Sequence, residues 1–475
     1  MRTGYGLFRR LSGSLLRPLR IAGAAALLVG GAPAIAAAQA APAINQADTA
    51  WMLISTALVL LMTPALAFFY GGLVRSKNAL NTMMMSFISL GFVGLLWAVI
   101  GYSLALTPGN NWVGDLSLLA LRGVGLEPSG AVLAITIPHM LYMAYQGTFC
   151  IITAALISGA IVERMRFSAY VIFISLWSVV VYAPLAHWVW GGGWLADMGA
   201  LDFAGGTVVH VNAAAAALVA AIVVGKRQEY PSTSLLPHNV PFTLLGAGLL
   251  WFGWFGFNAG SALAASPIAG LAFVTTMLAP AGTLVVWTFL DAFRSGKPTA
   301  VGAATAIVVG LVAVTPAAGF IGPMSALILG MVAAVPSYMA LQWRAKTSLD
   351  DSLDVVAAHG VGGTVGALLT GVFANKALNG LADGALFGNP AQLGVQATAV
   401  AAAIVYSGVM SFVLLKGISL VLPLRATGND ESTGLDITAH GEEAYLHSDG
   451  GGRSLTMMKE SAPPRRVESL APATK

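Results

Sequence analysis

The sequence predicts an all-α protein that crosses a membrane many times, and three observations carry this prediction. Hydrophobic residues make up 57% of the 475 residues and charged residues only 9%, whereas soluble domains carry roughly 25% charged residues. The mean hydropathy is +0.78. Apolar windows of roughly 20 residues, the length that a helix needs to cross a bilayer core of about 30 Å, recur along the chain. This composition excludes an ordinary soluble protein and predicts a polytopic protein embedded in the lipid bilayer.

Eleven hydrophobic windows predict eleven transmembrane helices. The windows lie at residues 51–72, 80–104, 135–161, 167–189, 205–225, 242–257, 268–290, 301–316, 323–343, 355–373 and 395–421. Eleven divides as five plus five plus one, and two inverted halves of five helices would place the fifth and the tenth helix beside a central axis. We therefore expect a five-plus-five inverted repeat followed by one further helix.

The positive charges between these windows predict the orientation in the membrane. Alternate loops carry ten basic residues, namely Arg75, Lys77, Arg164, Arg166, Lys226, Arg227, Arg294, Lys297, Arg344 and Lys346. The intervening loops carry only Arg122 and Lys376. Because cytoplasmic loops are enriched in Lys and Arg, the mature N-terminus is expected in the periplasm and the C-terminus in the cytoplasm of a bacterial inner membrane.

The N-terminal segment has the pattern of a signal peptide. Five arginines between Arg2 and Arg20 precede the short apolar stretch "IAGAAALLVGG", and "AAAQA" supplies small residues up to Ala40. This order of charge, apolar core and small residues predicts a signal peptide over residues 1–40, with an uncleaved first helix as the alternative. A membrane domain over residues 41–424 and a cytoplasmic tail over residues 425–475 would follow, the distal tail having the composition of a disordered segment.

Ionisable residues inside the predicted helices are rare and are therefore candidates for function. An ionisable group at membrane depth is costly and usually faces a cavity or a partner. His210 and His359 stand on the fifth and tenth windows, with Asp202 and Asp354 near the start of the same two windows. One such histidine alone would more often be a packing residue, but the symmetric placement of two favours a pair that lines one lumen. Neither has a histidine four residues away, so a zinc site is not expected.

Aromatic residues form a second candidate group. "HWVWGGGW" contains Trp188, Trp190 and Trp194, which could belong to an interfacial aromatic belt or could bind a small cation through their rings. Tyr145 and Phe149 are four residues apart and so share one helix face. The stretch "GWFGFNAGS" adds Trp254, Phe257 and Ser261 on the sixth window.

Six sequence motifs together resemble those of the ammonium transporter family. They are "AFFYGGLVRSKN", "GALDFAGGTVVHVNA", "GWFGFNAGS", "GKP", "AAHGVGG" and "GLDITAHGEEAY", in this order from about Asp48 to about Tyr445. The resemblance implies a homotrimer in which each protomer has eleven helices and its own central pore for ammonium or methylammonium. It implies neither an enzyme nor a cofactor, and no nucleic acid partner is expected.

The resemblance also implies roles for single residues. Trp190, Phe149 and Ser261 match an outer site that recruits ammonium, and Asp202 matches a buried carboxylate that organises this vestibule. Tyr145 is expected in the same substrate-binding group, at a position where many members of the family carry phenylalanine.

Further along the predicted pore, Phe149 and Phe257 match a stacked gate. His210 and His359 match paired pore histidines, with Trp254 as a further pore-lining residue. In this family, trimeric PII signalling proteins dock on the cytoplasmic face, so a PII partner is expected.

Three alternative functions stay open at this level. A Rhesus-type channel for neutral ammonia or carbon dioxide would share the fold, but that group typically lacks a tryptophan matching Trp190. An ammonium sensor with little conduction usually carries a long fused signalling domain, whereas about fifty residues follow the last window here. A membrane enzyme would need a catalytic constellation, and none stands at a predicted lumen.

Overall fold

A computed structural model describes residues 43–129, 136–230 and 235–445 of the chain. The predicted signal peptide and the distal tail lie outside these residues. Within them the secondary structure is helical, apart from a single antiparallel bridge between Met165 and Arg425. The prediction of an all-α fold is therefore confirmed.

Ten helices of the described residues are long and apolar enough to cross a membrane. They are α1 (Gln46–Leu73), α2 (Ser76–Leu106), α3 (His139–Ala160), α4 (Phe167–Asp197), α5 (Gly206–Val224), α6 (Val240–Ala259), α7 (Pro267–Ser295), α9 (Pro323–Arg344), α10 (Val356–Phe373) and α11 (Ala391–Ser419). Between α7 and α9 lies α8 (Ala300–Val314), which is apolar but has only 15 residues. At 1.5 Å per residue it is shorter than the bilayer core, so the chain is a multi-pass membrane protein while the count of eleven spans stays a prediction.

Some of the helices begin after a residue whose side chain accepts from the first backbone N–H groups. The side chain of Asn45 accepts hydrogen bonds from the N–H groups of Ala47 and Asp48 at the start of α1. Ser266 does the same for Ala269 in α7, which ends at Gly296 in a left-handed conformation. These are the cap residues that helix termini favour, so the element boundaries follow from local chemistry.

Three of the helices contain a π-helical turn at the depth of the predicted pore residues. The turns are Gly206–Val211 at the start of α5, Phe255–Ala259 at the end of α6 and Val356–Val361 at the start of α10. His210, Phe257 and His359 all lie in these turns. Such turns leave irregular backbone and recur at functional sites, and hydropathy alone gives no sign of them.

Four of the predicted same-side loops meet in one buried cluster of charges. Glu163, after α3, binds Arg75 at 2.9 Å and Arg227 at 2.5 Å. Arg227, after α5, also binds Asp350 at 2.8 Å, just before α10. The loops therefore share one face of the molecule, which we call the basic face.

Helices α5 and α10 run in opposite directions through the molecule. The buried Arg164 donates hydrogen bonds to the carbonyl oxygen of Gly225, directly after α5, and to that of Asp350, before α10. One helix therefore ends at the basic face where the other begins. This antiparallel relation of the fifth and tenth helices agrees with the inverted repeat expected from the sequence.

The first part of the tail folds back onto the basic face. The carboxylate of Asp436 accepts hydrogen bonds from the N–H groups of Leu80 at 3.1 Å and Asn81 at 2.7 Å in the first turns of α2. Lys77 donates to the carbonyl oxygens of Glu431 and Ser432. Residues 425–445 thus cover the same surface as the basic loops.

Candidate functional site

The two membrane-embedded histidines form a contacting pair. The Nδ1 atoms of His210 and His359 are 3.2 Å apart, and the two residues are only 2% and 4% exposed. A neutral imidazole has one donor and one acceptor nitrogen, so one Nδ1 donates the proton that the other accepts. Among the described residues, Nε2 of His210 has no hydrogen-bond partner. The pair can therefore hold one proton between its rings and still offer a further nitrogen to a passing molecule.

Each histidine is positioned by an aspartate eight residues earlier. The carboxylate of Asp351 accepts hydrogen bonds from the N–H groups of Val355 at 3.1 Å and Val356 at 2.7 Å, which caps α10. Asp202 caps α5 in the same way. The repeated spacing from Asp202 to His210 and from Asp351 to His359 marks one element that occurs twice in opposite directions.

Both carboxylate oxygens of Asp202 accept hydrogen bonds at the start of α5. Its two oxygens accept from the N–H groups of Gly205, Gly206, Thr207 and Val208, and from the Thr207 hydroxyl. The residue is 7% exposed. Its contacts are those of a helix cap that fixes the π-helical turn carrying His210, and a passing cation would feel its charge without displacing its partners.

Two phenylalanine rings close the space on one side of the histidine pair. The rings of Phe149 on α3 and Phe257 on α6 are stacked with their centroids 4.1 Å apart. The ring of His210 stacks on Trp254 at 5.5 Å, and the indole N–H of Trp254 donates to the Thr315 hydroxyl.

Between these rings lies a narrow, largely apolar cavity. Its volume is about 10 Å³, about the room that one water molecule needs. It is lined by Met62, Leu66, Phe69, Ile152, Leu156, Val209, His210, Leu250, Trp254, Phe257, Val308 and His359. A hydrated ion could not enter a space of this size with its water shell.

Beyond the stacked pair, away from the basic face, lies an aromatic cluster with one serine. The ring of Trp190 stands edge-on to Phe149 at 6.1 Å, and its indole N–H donates to the carbonyl oxygen of Asp202 at 2.9 Å. The hydroxyl of Ser261 donates to the carbonyl oxygen of Phe257 at 2.8 Å, so its oxygen is left with lone pairs. Ring faces and a hydroxyl acceptor suit a small cation that carries N–H groups.

On the other side of the histidines a larger cavity of about 620 Å³ opens toward the basic face. His359 is among its lining residues, together with Asp354, Arg344, Arg227 and Arg294. Asp354 is paired with Arg344 at 2.6 Å. Burial raises the pKa of Asp354 to about 7 against the opposing effect of Arg344. Asp354, a candidate from the sequence, therefore lies at the mouth of the cavity. The residue that precedes His359 as Asp202 precedes His210 is Asp351.

The structure brings most of the predicted site residues together and separates two of them. Tyr145, Phe149, Trp190, Phe257 and Ser261 adjoin one another, and Trp254 adjoins the histidines. In contrast, Trp188 and Trp194 pack with Trp112 in a separate cluster. No group of three or more metal-ligating side chains occurs within the described residues.

Sequence reasoning missed two residues of the site. Asp351 could have been found, because the spacing of eight residues between an aspartate and a membrane histidine occurs twice. Thr315 accepts a hydrogen bond from the indole N–H of Trp254, which lies 61 residues earlier in the chain. No motif or spacing around Thr315 indicates this contact.

Comparison with known proteins found a matching family, similar relatives and similar solved structures. A sequence model described as Ammonium Transporter Family matches residues 50–445. The ammonium transporter of Bacillus subtilis strain 168 is 47% identical over 407 residues, covering 85% of this chain and 100% of that relative. The crystal structure of Saccharomyces cerevisiae Mep2 aligns with a TM-score of 0.77 at 34% identity, covering 86% of this chain and 93% of that one. A structure named Sensor Amt Protein aligns with a TM-score of 0.77 at 28% identity, covering 83% and 98%.

Proposed function

Because the chain belongs to the ammonium transporter family, whose members are transport proteins and not enzymes, we propose that it carries ammonium across the membrane through the cavity beside His210 and His359. The observation that carries this proposal is the contact between the two histidines at the end of an apolar cavity closed by Phe149 and Phe257. Methylammonium, which has the same charge and three N–H donors, would be a second substrate.

Recruitment would take place at the aromatic cluster of Trp190, Phe149 and Ser261. A cation over the faces of aromatic rings gains roughly 0.5–2 kcal/mol from the ring quadrupole. The Ser261 oxygen, whose own proton is used by the Phe257 carbonyl, would accept one N–H of ammonium. Potassium has the same charge but no N–H to donate, so this site favours ammonium through the hydrogen bond to Ser261 and not through charge.

Discrimination against other ions would follow from the size and polarity of the cavity. An ion that leaves its water shell for an apolar space is penalised by many kcal/mol unless partners replace the water. Ammonium can release a proton and cross as ammonia, whereas potassium has no such neutral form. The histidine pair supplies hydrogen-bonding nitrogens in this space and can pass a proton between its two rings. We therefore propose electrogenic transport in which ammonia and its proton cross the membrane separately and both reach the other side.

The test is current measurement on proteoliposomes by solid-supported-membrane electrophysiology. Pulses of ammonium, methylammonium and potassium are compared for the wild type, the double variant His210→Ala/His359→Ala and Trp190→Leu. We expect a saturable ammonium current in the wild type, none with potassium, and loss of the selective ammonium current in the double variant. Trp190→Leu should raise the half-saturating concentration.

A matched control replaces a histidine of the same membrane domain that does not line the cavity. His139 lies at the start of α3, and its ring contacts Tyr102 of α2. The ammonium current of the variant His139→Gln should equal that of the wild type. A double-alanine variant with full and selective current would contradict the proposal.

An ammonium sensor is the second candidate, and the structural similarity to the protein named Sensor Amt Protein is the observation that favours it. A sensor would bind ammonium in titration calorimetry and give no current. Rapid internal alkalinisation without current would instead indicate a Rhesus-type path for neutral ammonia.

We further propose a homotrimer in the cytoplasmic membrane, with the basic face in the cytoplasm and a cleaved signal peptide over residues 1–40. The family resemblance supports the trimer, and the positive charges support the orientation. A PII signalling protein would dock on the basic face, which the tail residues 425–445 share with the loops around the 620 Å³ cavity. Co-purification of the chain with PII protein from nitrogen-replete and nitrogen-starved cells tests this partner.

A further inference from the structure

We propose that the hydroxyl of Tyr145 bridges the two helices of the phenylalanine gate and thereby limits how often the gate opens, an inference that rests on the proposed transport function. Tyr145 lies on α3, and its hydroxyl oxygen is 3.0 Å from the carbonyl oxygen of Gly256 and 2.9 Å from that of Phe257 on α6. We call these contacts the Tyr145 bridge.

The Tyr145 hydroxyl lies closest to two backbone carbonyl groups of α6 and 3.3 Å from the oxygen of Ser261, so its main contacts are those of a bridge between helices. Tyr145 is 0% exposed, so its oxygen does not face an open vestibule. Its proton is directed at carbonyl groups of the π-helical turn Phe255–Ala259, where the regular hydrogen-bond ladder of α6 is interrupted. The fit is tight on the far side as well, because a side-chain carbon at Gly260 would lie 2.7 Å from the Tyr145 oxygen.

The bridge joins the backbones that carry the two gate rings. Phe149 follows Tyr145 by four residues and lies on the same face of α3, where the two rings are 5.0 Å apart. Phe257 is itself one of the residues whose carbonyl accepts the tyrosine proton. A cargo molecule can pass only if the two rings, now 4.1 Å apart, separate. With the bridge intact the rings must rotate in place, and without it α3 and the turn of α6 can also move apart.

The test is the substitution Tyr145→Phe, which removes one oxygen and keeps the ring. We expect the maximal ammonium current to rise about fivefold, because a neutral hydrogen bond stabilises the closed arrangement by about 1 kcal/mol and 1.36 kcal/mol corresponds to tenfold. The half-saturating concentration should stay unchanged, because Trp190, Phe149 and Ser261 are retained. The control is Tyr170→Phe, which removes another buried hydroxyl whose proton goes to a carbonyl, that of Met85, away from the gate. Tyr170→Phe should leave the maximal current at the wild-type value.

Hydrogen–deuterium exchange gives a readout that does not need transport. Amides of residues 255–261 should exchange several-fold faster in Tyr145→Phe than in the wild type, and at the wild-type rate in Tyr170→Phe. A raised half-saturating concentration with an unchanged maximal current would make the hydroxyl a substrate ligand and overturn the bridge. An unchanged current with unchanged exchange would overturn it too. If the wild type itself gives no current, the proposed transport function fails, and the exchange at residues 255–261 alone decides for or against the bridge.

Discussion

At the scale of single residues, the direction of two hydroxyl protons would decide what the proposed recruitment site can accept. Ser261 and Tyr145 both donate to carbonyl oxygens of α6, so neither proton is available to repel or to compete with an incoming N–H group. Ser261 is a partly exposed residue, whereas Tyr145 is buried. In the proposed mechanism the Tyr145 hydroxyl would therefore hold the gate, and the Ser261 oxygen would accept the N–H group of the substrate.

Ser261→Ala should therefore weaken ammonium binding without changing the rate of crossing. A hydrogen bond to a charged group contributes about 1.5–3 kcal/mol, so we expect the half-saturating concentration to rise about tenfold while the maximal current stays the same. Current against ammonium concentration measures both quantities. The control is Ser266→Ala, which removes the cap of α7 outside the site. A maximal current that falls with Ser261→Ala would mean that the hydroxyl acts during crossing and would contradict this assignment.

At the scale of elements, the site is built from one repeated unit, an aspartate cap followed by a π-helical turn with a histidine. Asp202 accepts five hydrogen bonds at the start of α5, and Asp351 accepts two at the start of α10. The caps fix the first turn of each helix from opposite faces of the molecule. Because the histidines follow their caps by the same eight residues, both rings reach the same depth and meet.

Replacing either cap by asparagine should destabilise the protein in a fixed order. The amide group offers one acceptor oxygen where the carboxylate offers two, so we expect a loss of about 1–2 kcal/mol for Asp351→Asn and about 3 kcal/mol for Asp202→Asn. Thermal unfolding of the detergent-solubilised protein measures the order. Asp197→Asn, at an exposed residue at the end of α4, serves as the control and should not shift the midpoint. Equal midpoints for the two cap variants would show that the number of hydrogen bonds does not determine how much each cap stabilises the protein.

The parts of the site that could be predicted from the sequence are those marked by a hydrophobic period or by a regular spacing of residues. Hydropathy predicted the helices. The placement of His210 and His359 on the fifth and the tenth window predicted that the two histidines line one lumen. The π-helical turns were out of reach, since hydropathy does not distinguish them from a regular α-helix. The use of the Tyr145 hydroxyl was out of reach as well, because its acceptors lie 111 and 112 residues away.

At the scale of the whole molecule, the charge cluster of Arg75, Glu163, Arg227 and Asp350 joins the loops after α1, α3, α5 and α9. The sequence predicted that these loops share a side from their positive charges alone. It did not predict the acidic partners, because two carboxylates in basic loops give no periodic signal. The cluster borders the cavity through Arg227, so the integrity of the basic face and the shape of the cavity mouth depend on the same ion pairs.

This cluster predicts how stability depends on pH. Burial alone would raise the pKa of Glu163, but Arg227 and Arg75 outweigh it and hold the pKa below the ordinary 4.5. For Asp350, likewise, burial is outweighed by the hydrogen bond and charge of Arg227 and the charge of Arg164, so its pKa lies below 3.8. A carboxyl whose pKa is lower in the folded state stabilises the fold fully above its unfolded pKa and loses this effect as the pH falls toward the folded pKa. The contribution of the cluster should be constant near pH 7 and decline below about pH 4.5.

Glu163→Gln should make that decline shallower and lower the stability at neutral pH. Removing one partner from a buried ion pair costs about 3 kcal/mol, because Arg227 loses a counter-charge that water cannot replace. The difference in unfolding free energy between wild type and variant should therefore be largest near pH 7. It should shrink as the pH falls from about 4.5, where the unfolded carboxyl becomes protonated, toward the lower pKa of the folded state. Denaturant unfolding in detergent at stepped pH measures this difference, with Glu127→Gln at an exposed residue of the loop between α2 and α3 as a control that should follow the wild type. A difference that stays constant down to pH 3 would mean that the ionised carboxylate of Glu163 does not stabilise the basic face.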